Sequence, residues 1–239
     1  MSFFQTLISQ FQSTFIIDNR WKLFLNGFNN TMLITLTAAL IGIALGTVIA
    51  VIHNIASVKP RKPSFGSSFV KVMDKIFEAY VAVMRGTPLA IQLMIMAFLI
   101  MAGKNKIMVA CIAFGLNSAA YVSEVIRGGI NSVDIGQMEA GRSLGLSRVT
   151  TMRKIILPQA IKNILPALCN EGIAVLKETS IVGMVAVTDL TRASDLVRSR
   201  TLLAFFPLVS VALVYFVLVF GLSSAVSKLE RRLAKSDRN

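Results

Sequence analysis

Hydrophobic and polar positions alternate in long blocks along this chain. Thr31 to Ile52 is a run of 22 residues without a charge. At 1.5 Å per residue it reaches about 33 Å as a helix, enough to cross a bilayer. Four more blocks follow, at 87–103, 107–126, 164–187 and 205–226. The second is short, the third turns polar towards its end, the fourth carries charges inside it, and the fifth is the most uniformly apolar. The pattern predicts an all-α, polytopic membrane protein with five transmembrane helices. Gly42 and Gly46 form a small-xxx-small pair in the first span, which favours close helix approach.

Between the first two spans, 65–84 reads as an amphipathic surface helix. It is bounded by KPRKP on one side and RGTP on the other. The first 22 residues form a separate amphipathic segment. Phe3, Phe4, Leu7, Ile8, Phe11 and Phe15 fall on one helical face, opposite Gln, Ser and Thr. That face suits either the bilayer interface, with Trp21 as an anchor, or packing on the protein itself. Residues 23–230 then form the membrane domain, and 231–239 a basic tail.

Charge sharpens this picture. Only 15% of residues are charged, well below the roughly 25% of soluble domains. The net charge is +13, which in a soluble protein would suggest nucleic acid. Topology accounts for it instead. With the N-terminus outside, the inner segments 53–86, 127–162 and 227–239 hold 17 of the 25 Lys and Arg, and the outer segments hold seven. This places the C-terminus in the cytoplasm. No Cys-x-x-Cys or Cys/His cluster occurs, and His53 is the one histidine. A protein-built zinc or haem site is therefore not expected, and Cys111 and Cys169 read as small buried hydrophobes.

The longest inner loop, about 128–160, contains EAGRSLGLSRVTTMRKIILP (Glu139 to Pro158). Asp134, with Gln137 three residues on, can cap a short helix running to about Leu144. Gly145 fits the left-handed position that ends a helix. A second helix starts near Ser147 or Thr150 and leads through Pro158 to the fourth span. Met138, Gly141 and Leu144 share one side of the first helix. Such an elbow either rests on its own bundle or docks in a partner's groove.

Polar groups inside spans are costly and mark function by default. The fourth span carries Asn170, Glu171, Lys177, Glu178, Thr179 and Ser180. Asn170 and Lys177 are seven apart, as are Glu171 and Glu178, so each pair shares a helix face. A cation and an anion offered together suit a zwitterion, with Lys177 facing a carboxylate and Glu171 an ammonium or a cationic side chain. The same residues could instead pair with each other or with a neighbouring subunit. Asn117 and Gln92 are further pocket candidates. Glu124 and Arg127 are one turn apart and can bridge, while Arg85 and Pro88 fix the start of the second span.

The 139–158 segment resembles the EAA loop of ABC-importer permeases. Glu139, Ala140, Gly145, Ile155, Leu157 and Pro158 stand at the matching spacing. Gly141 departs from the usual alanine, a change expected to weaken the helix slightly and leave its surface small. RGTPLAIQ (85–92), SAAYVSEVIRGGINSVDIGQMEAG (118–141), LPQAIKNILPALCNE (157–171) and LKETS (176–180) are similar to the polar amino acid subfamily, which more often has Asp where Glu178 stands. The likeness covers about 27–230.

It implies a type I ABC importer permease fold in the bacterial inner membrane. It also implies a second permease subunit, two ATPase subunits and an external substrate-binding protein. ATP and Mg would sit on the ATPase. In agreement, this chain has no G-x-x-x-x-G-K-[ST] loop to cradle a nucleotide. The ATPase-coupling residues are then Glu139, Ala140, Gly141, Leu144, Gly145, Leu146 and Pro158, and Gly145→Asp is expected to abolish uptake without blocking membrane insertion. Likeness to arginine-type permeases points to Lys177 and Glu171 in the substrate path. One histidine and no acidic cluster with ligand spacing argue against a membrane enzyme, and the lack of an evident internal repeat against a secondary transporter. An ATP-independent channel or scaffold subunit is the alternative.

Overall fold

A computed structural model of the chain describes residues 3–57 and 65–235. The KPRKP bases Lys59, Arg61 and Lys62, and Arg238 of the tail, lie outside them. Among the described residues every element is helical. They are α1 (Phe3–Phe11), α2 (Trp21–Ala56), α3 (Phe65–Gly86), α4 (Leu89–Ile95), α5 (Lys106–Asn131), α6 (Ile135–Ser143), α7 (Arg148–Thr151), α8 (Leu157–Glu178), α9 (Leu190–Thr201) and α10 (Phe205–Lys235).

Among the described residues three helices are individually long and apolar enough to cross a membrane: α2, α5 and α10. They contain the first, third and fifth expected spans. The second, 87–103, is corrected. Pro88 supplies no N–H and disfavours helical backbone at Thr87, so α3 stops at Gly86 and α4 restarts at Leu89. Helix α4 continues only through a wide π turn, Met96–Ile100. It is too short to cross alone and qualifies only when joined with α3 as one broken span. The fourth expected span also changes form. It is α-helical to Glu178, tightens to a 3₁₀ helix over Thr179–Val185, and ends at Ala186 with φ +64°. Helix α8 carries Lys162, Glu171, Lys177 and Glu178 and is not among the apolar helices.

The chain divides into two compact units, each built from three segments. The first comprises 1–38, 89–114 and 173–223. Its core packs Ile34, Leu93, Val109, Phe114, Val175 and Val182, all buried. Gly27 lies so close to the 189–190 backbone that a Cβ there would sit 2.6 Å from the Asp189 carbonyl oxygen. Asp189 is fully buried and caps α9, accepting from the N–H groups of Thr191 and Arg192 at 3.0 Å each. Burial holds its carboxyl above the usual carboxylate range, and those two donors offset only part of that rise. Part of the N-terminal segment packs on the protein itself. Phe4 and Ile8 of α1 are exposed, whereas the rings of Phe11 and Phe15 approach Phe206 and Phe24 at 6.3 and 5.2 Å. Beyond it, Asp18 and Asn19 adopt left-handed backbone and turn the chain into α2.

The second unit comprises 39–88, 115–172 and 224–239. Here the small residues of α2 meet α5 directly. A Cβ on Gly42 would lie 2.6 Å from Ser118 Oγ, and one on Gly46 would lie 2.7 Å from the Ala119 carbonyl oxygen. The close approach expected from the glycine pair is therefore real. Tyr80 of α3 donates its hydroxyl to the Leu116 carbonyl, and Asn117 Nδ2 donates to that of Met84 at 3.2 Å.

Candidate functional site

Local chemistry builds the elbow between α6 and α8. Asp134 accepts from Gly136 N–H at 2.6 Å and starts α6. The helix ends with two crossing hydrogen bonds, Leu146 N–H to Gly141 O at 3.1 Å and Gly145 N–H to Arg142 O at 3.0 Å. That pairing is a Schellman motif, and it requires the residue at Gly145 to be left-handed. Its φ is +80°. Ser147 then caps α7, its Oγ accepting from Thr150 N–H at 3.1 Å. The chain passes through a π turn, Met152–Ile156, in which Leu157 N–H reaches Met152 O. The proline at 158 has no N–H to offer an α-turn, and a wide turn just before it absorbs the mismatch.

Gly141 is corrected in its role. It is buried, not part of a small outer surface. Thr151 packs where a Cβ would be, with Cγ2 at 2.5 Å and Oγ1 at 2.8 Å from that position. Thr151 is itself fully buried and donates Oγ1–H to Ser147 O at 3.0 Å. The expected shared side is thus split, because Gly141 faces inward while Leu144 is 80% exposed. Ile135 and Val149 are exposed too, at 76% and 67%. Glu139, Ala140 and Pro158 are exposed and Leu146 is half-buried. Three large apolar side chains of this short elbow are thus left uncovered by the chain itself.

The polar residues of α8 are placed as follows. Asn170 is exposed, and Glu171 is half-buried and accepts from Ser118 Oγ at 3.2 Å. Lys177 and Glu178 are exposed. Thr179 is buried and donates to the Leu176 carbonyl at 2.7 Å. Asn117 is buried against α3, and Gln92 is half-buried on α4. Glu124 and Arg127 do bridge, Arg127 Nε reaching Glu124 Oε1 at 2.9 Å. Arg85 does more than mark a helix end. Its guanidinium reaches Glu124 at 3.1 Å and lies 5.4 Å over the Tyr121 ring. Helical spacing finds the Glu124–Arg127 pair, but it carries no signal for Arg85, which comes from another helix.

Over most of its length the chain matches known proteins. The family of binding-protein-dependent transport system inner membrane components matches residues 64–235. A putative glutamine transport system permease protein, GlnP, of Rickettsia bellii (strain RML369-C) is 39% identical over 85% of this chain and 91% of its own. The arginine transport system permease protein ArtQ of Bacillus subtilis (strain 168) is 38% identical over 89% and 93%. Among solved structures, an amino acid ABC transporter crystallised with histidines is 38% identical. It superposes with a TM-score of 0.80 over 90% of this chain and 96% of that one. The inward-facing MetNI methionine ABC transporter, 17% identical, shares the fold with a TM-score of 0.70 over 88% of this chain and 96% of that one.

Proposed function

This chain belongs to the family of binding-protein-dependent transport system inner membrane components, and on that premise we propose that it is the permease subunit of an ATP-driven importer of a polar amino acid. The elbow around Glu139–Pro158 seats on a separate ATPase. The observation that carries this reading is the exposed trio Ile135, Leu144 and Val149, held on a helix end that Gly145 fixes. Closure of the ATPase pair then moves the bundle between outward- and inward-facing states. The N-terminus lies outside and the C-terminus inside, as the Lys and Arg distribution supports. A second permease subunit and an external binding protein complete the importer. The names of the relatives, which include glutamine and arginine permeases, support a polar amino acid as cargo.

Co-purification with candidate ATPase and binding-protein partners, followed by ATPase assays across a panel of amino acids, tests this. Stimulation by one or a few polar amino acids is expected. ATPase capture with no stimulation by any amino acid would remove the substrate class, and failure to capture an ATPase would remove the coupling role.

Within the path, Glu171 is the acceptor best placed for an ammonium, since a carboxylate accepts a charge-assisted hydrogen bond strongly. Glu171→Gln should lower uptake about ten- to hundredfold, the loss of one such bond, with the protein still inserted. Unchanged uptake would take Glu171 out of the path.

A further inference from the structure

Within the second unit, a cavity of about 340 Å³ is lined by His53 of α2, Asp74 and Glu78 of α3, Arg85, and Glu124 and Arg127 of α5. Its charges form two groups. Arg85 and Arg127 both rest on Glu124, so neither guanidinium is engaged with the other acids. The second group is His53, Asp74 and Glu78.

Asp74 and Glu78 are four apart on α3 and share its face. His53 meets them from α2, with Nδ1 at 2.9 Å from Asp74 Oδ1 and 3.9 Å from Glu78 Oε1. One ligating atom from each of the three lies within 4.8 Å of the other two. Among the described residues, neither carboxylate has a Lys or Arg partner, and the Asp74 side chain is only 16% exposed. A single imidazole is therefore the one basic side chain in direct contact with these two carboxylates among the described residues.

We propose that His53, Asp74 and Glu78 bind one divalent first-row transition ion, such as Zn²⁺ or Co²⁺. Bonds of about 2.1 Å in a tetrahedral arrangement set ligand atoms about 3.4 Å apart, midway between the two imidazole–carboxylate separations. One nitrogen and two carboxylate oxygens suit an ion of this type better than Ca²⁺, which takes six to eight oxygens. The cavity leaves room for water to complete the coordination. No Cys/His spacing announces such a site, because its ligands come from two helices and only one is histidine. The ion would tie α2 to α3.

The test uses the full-length chain, prepared without a polyhistidine tag, stripped with chelator and titrated with Co²⁺ by visible absorption and with Zn²⁺ by calorimetry. One ion per chain is expected. His53→Ala and Glu78→Gln should each weaken binding about tenfold or more, since even outer-shell changes cost that much. Asp195→Asn, an acid on α9 paired with Arg198, should leave binding unchanged. Glu78 is 61% exposed, so its variant keeps the fold even where His53→Ala does not. Absence of stoichiometric binding overturns the proposal, as does binding that survives both substitutions (an adventitious ion only). Loss in His53→Ala with full retention in Glu78→Gln also overturns it, since the triad would then be a lone imidazole.

Discussion

Gly145→Val is expected to abolish ATP-driven uptake while leaving the chain inserted in the membrane. The reason is backbone conformation alone. A Cβ at Gly145 would meet nothing within 4 Å, but its φ is +80°. Left-handed backbone costs an ordinary L-residue about 1–2 kcal/mol, and a β-branched residue is a genuine outlier there. To escape that cost the chain must give up the crossed bonds from Leu146 and Gly145 back to Gly141 and Arg142. Leu144 and the Ser147-capped helix would then point elsewhere. Gly145→Asn tolerates the left-handed region and should retain a substantial part of the uptake. Gly145→Asp adds a charge beside Leu144 and should abolish it. Transport assays in cells or vesicles, with the membrane fraction quantified in parallel, read all three. Normal uptake by the valine variant would end the case for the elbow as the coupling element.

The second large effect is a reversal of sign at Gly141. Alanine there restores the usual motif, and in an open helix it would stabilise by about 1 kcal/mol. Here the added methyl must share space with Thr151 Cγ2 and Oγ1. Thr151 cannot rotate away cheaply, because it is β-branched and its hydroxyl is bonded to Ser147 O. Overpacking of this kind costs about 1–3 kcal/mol, so Gly141→Ala should lower stability and uptake. Thr151→Ala removes both close atoms and leaves Cβ at 3.2 Å from the new methyl. On that background Gly141→Ala should be neutral or stabilising. A double-mutant cycle read by thermal unfolding and uptake measures the coupling. Additive effects would show that the two residues do not compete for space.

These cases show where the sequence is legible. The cap at Asp134, the left-handed Gly145 and the Ser147 start are local, and each is written within three or four residues. The apolar runs of α2, α5 and α10 are legible for the same reason. Contacts between helices are not. Arg85 on Glu124, Ser118 on Glu171 and Gly141 against Thr151 depend on which faces meet, and periodicity does not say. The second span is hard to read for another reason. Apolar content over 87–103 hides how short a helix can run between Pro88 and the wide turn at Met96.

The wide turn at Met152–Ile156 has a different kind of consequence. It holds one residue more than an α-turn, and one residue is roughly 100° of rotation. The elbow and α8 are therefore out of phase with each other, although they read as one helix from Arg148 onward. Counting back from Glu171 by sevens reaches Ile164 and then Leu157, both on one face of α8. The next step, to Thr150, crosses the wide turn and lands on another face. Any chimera that swaps the part of the elbow before Met152 must carry the turn with it, or every polar side chain on α8 turns away from its present direction.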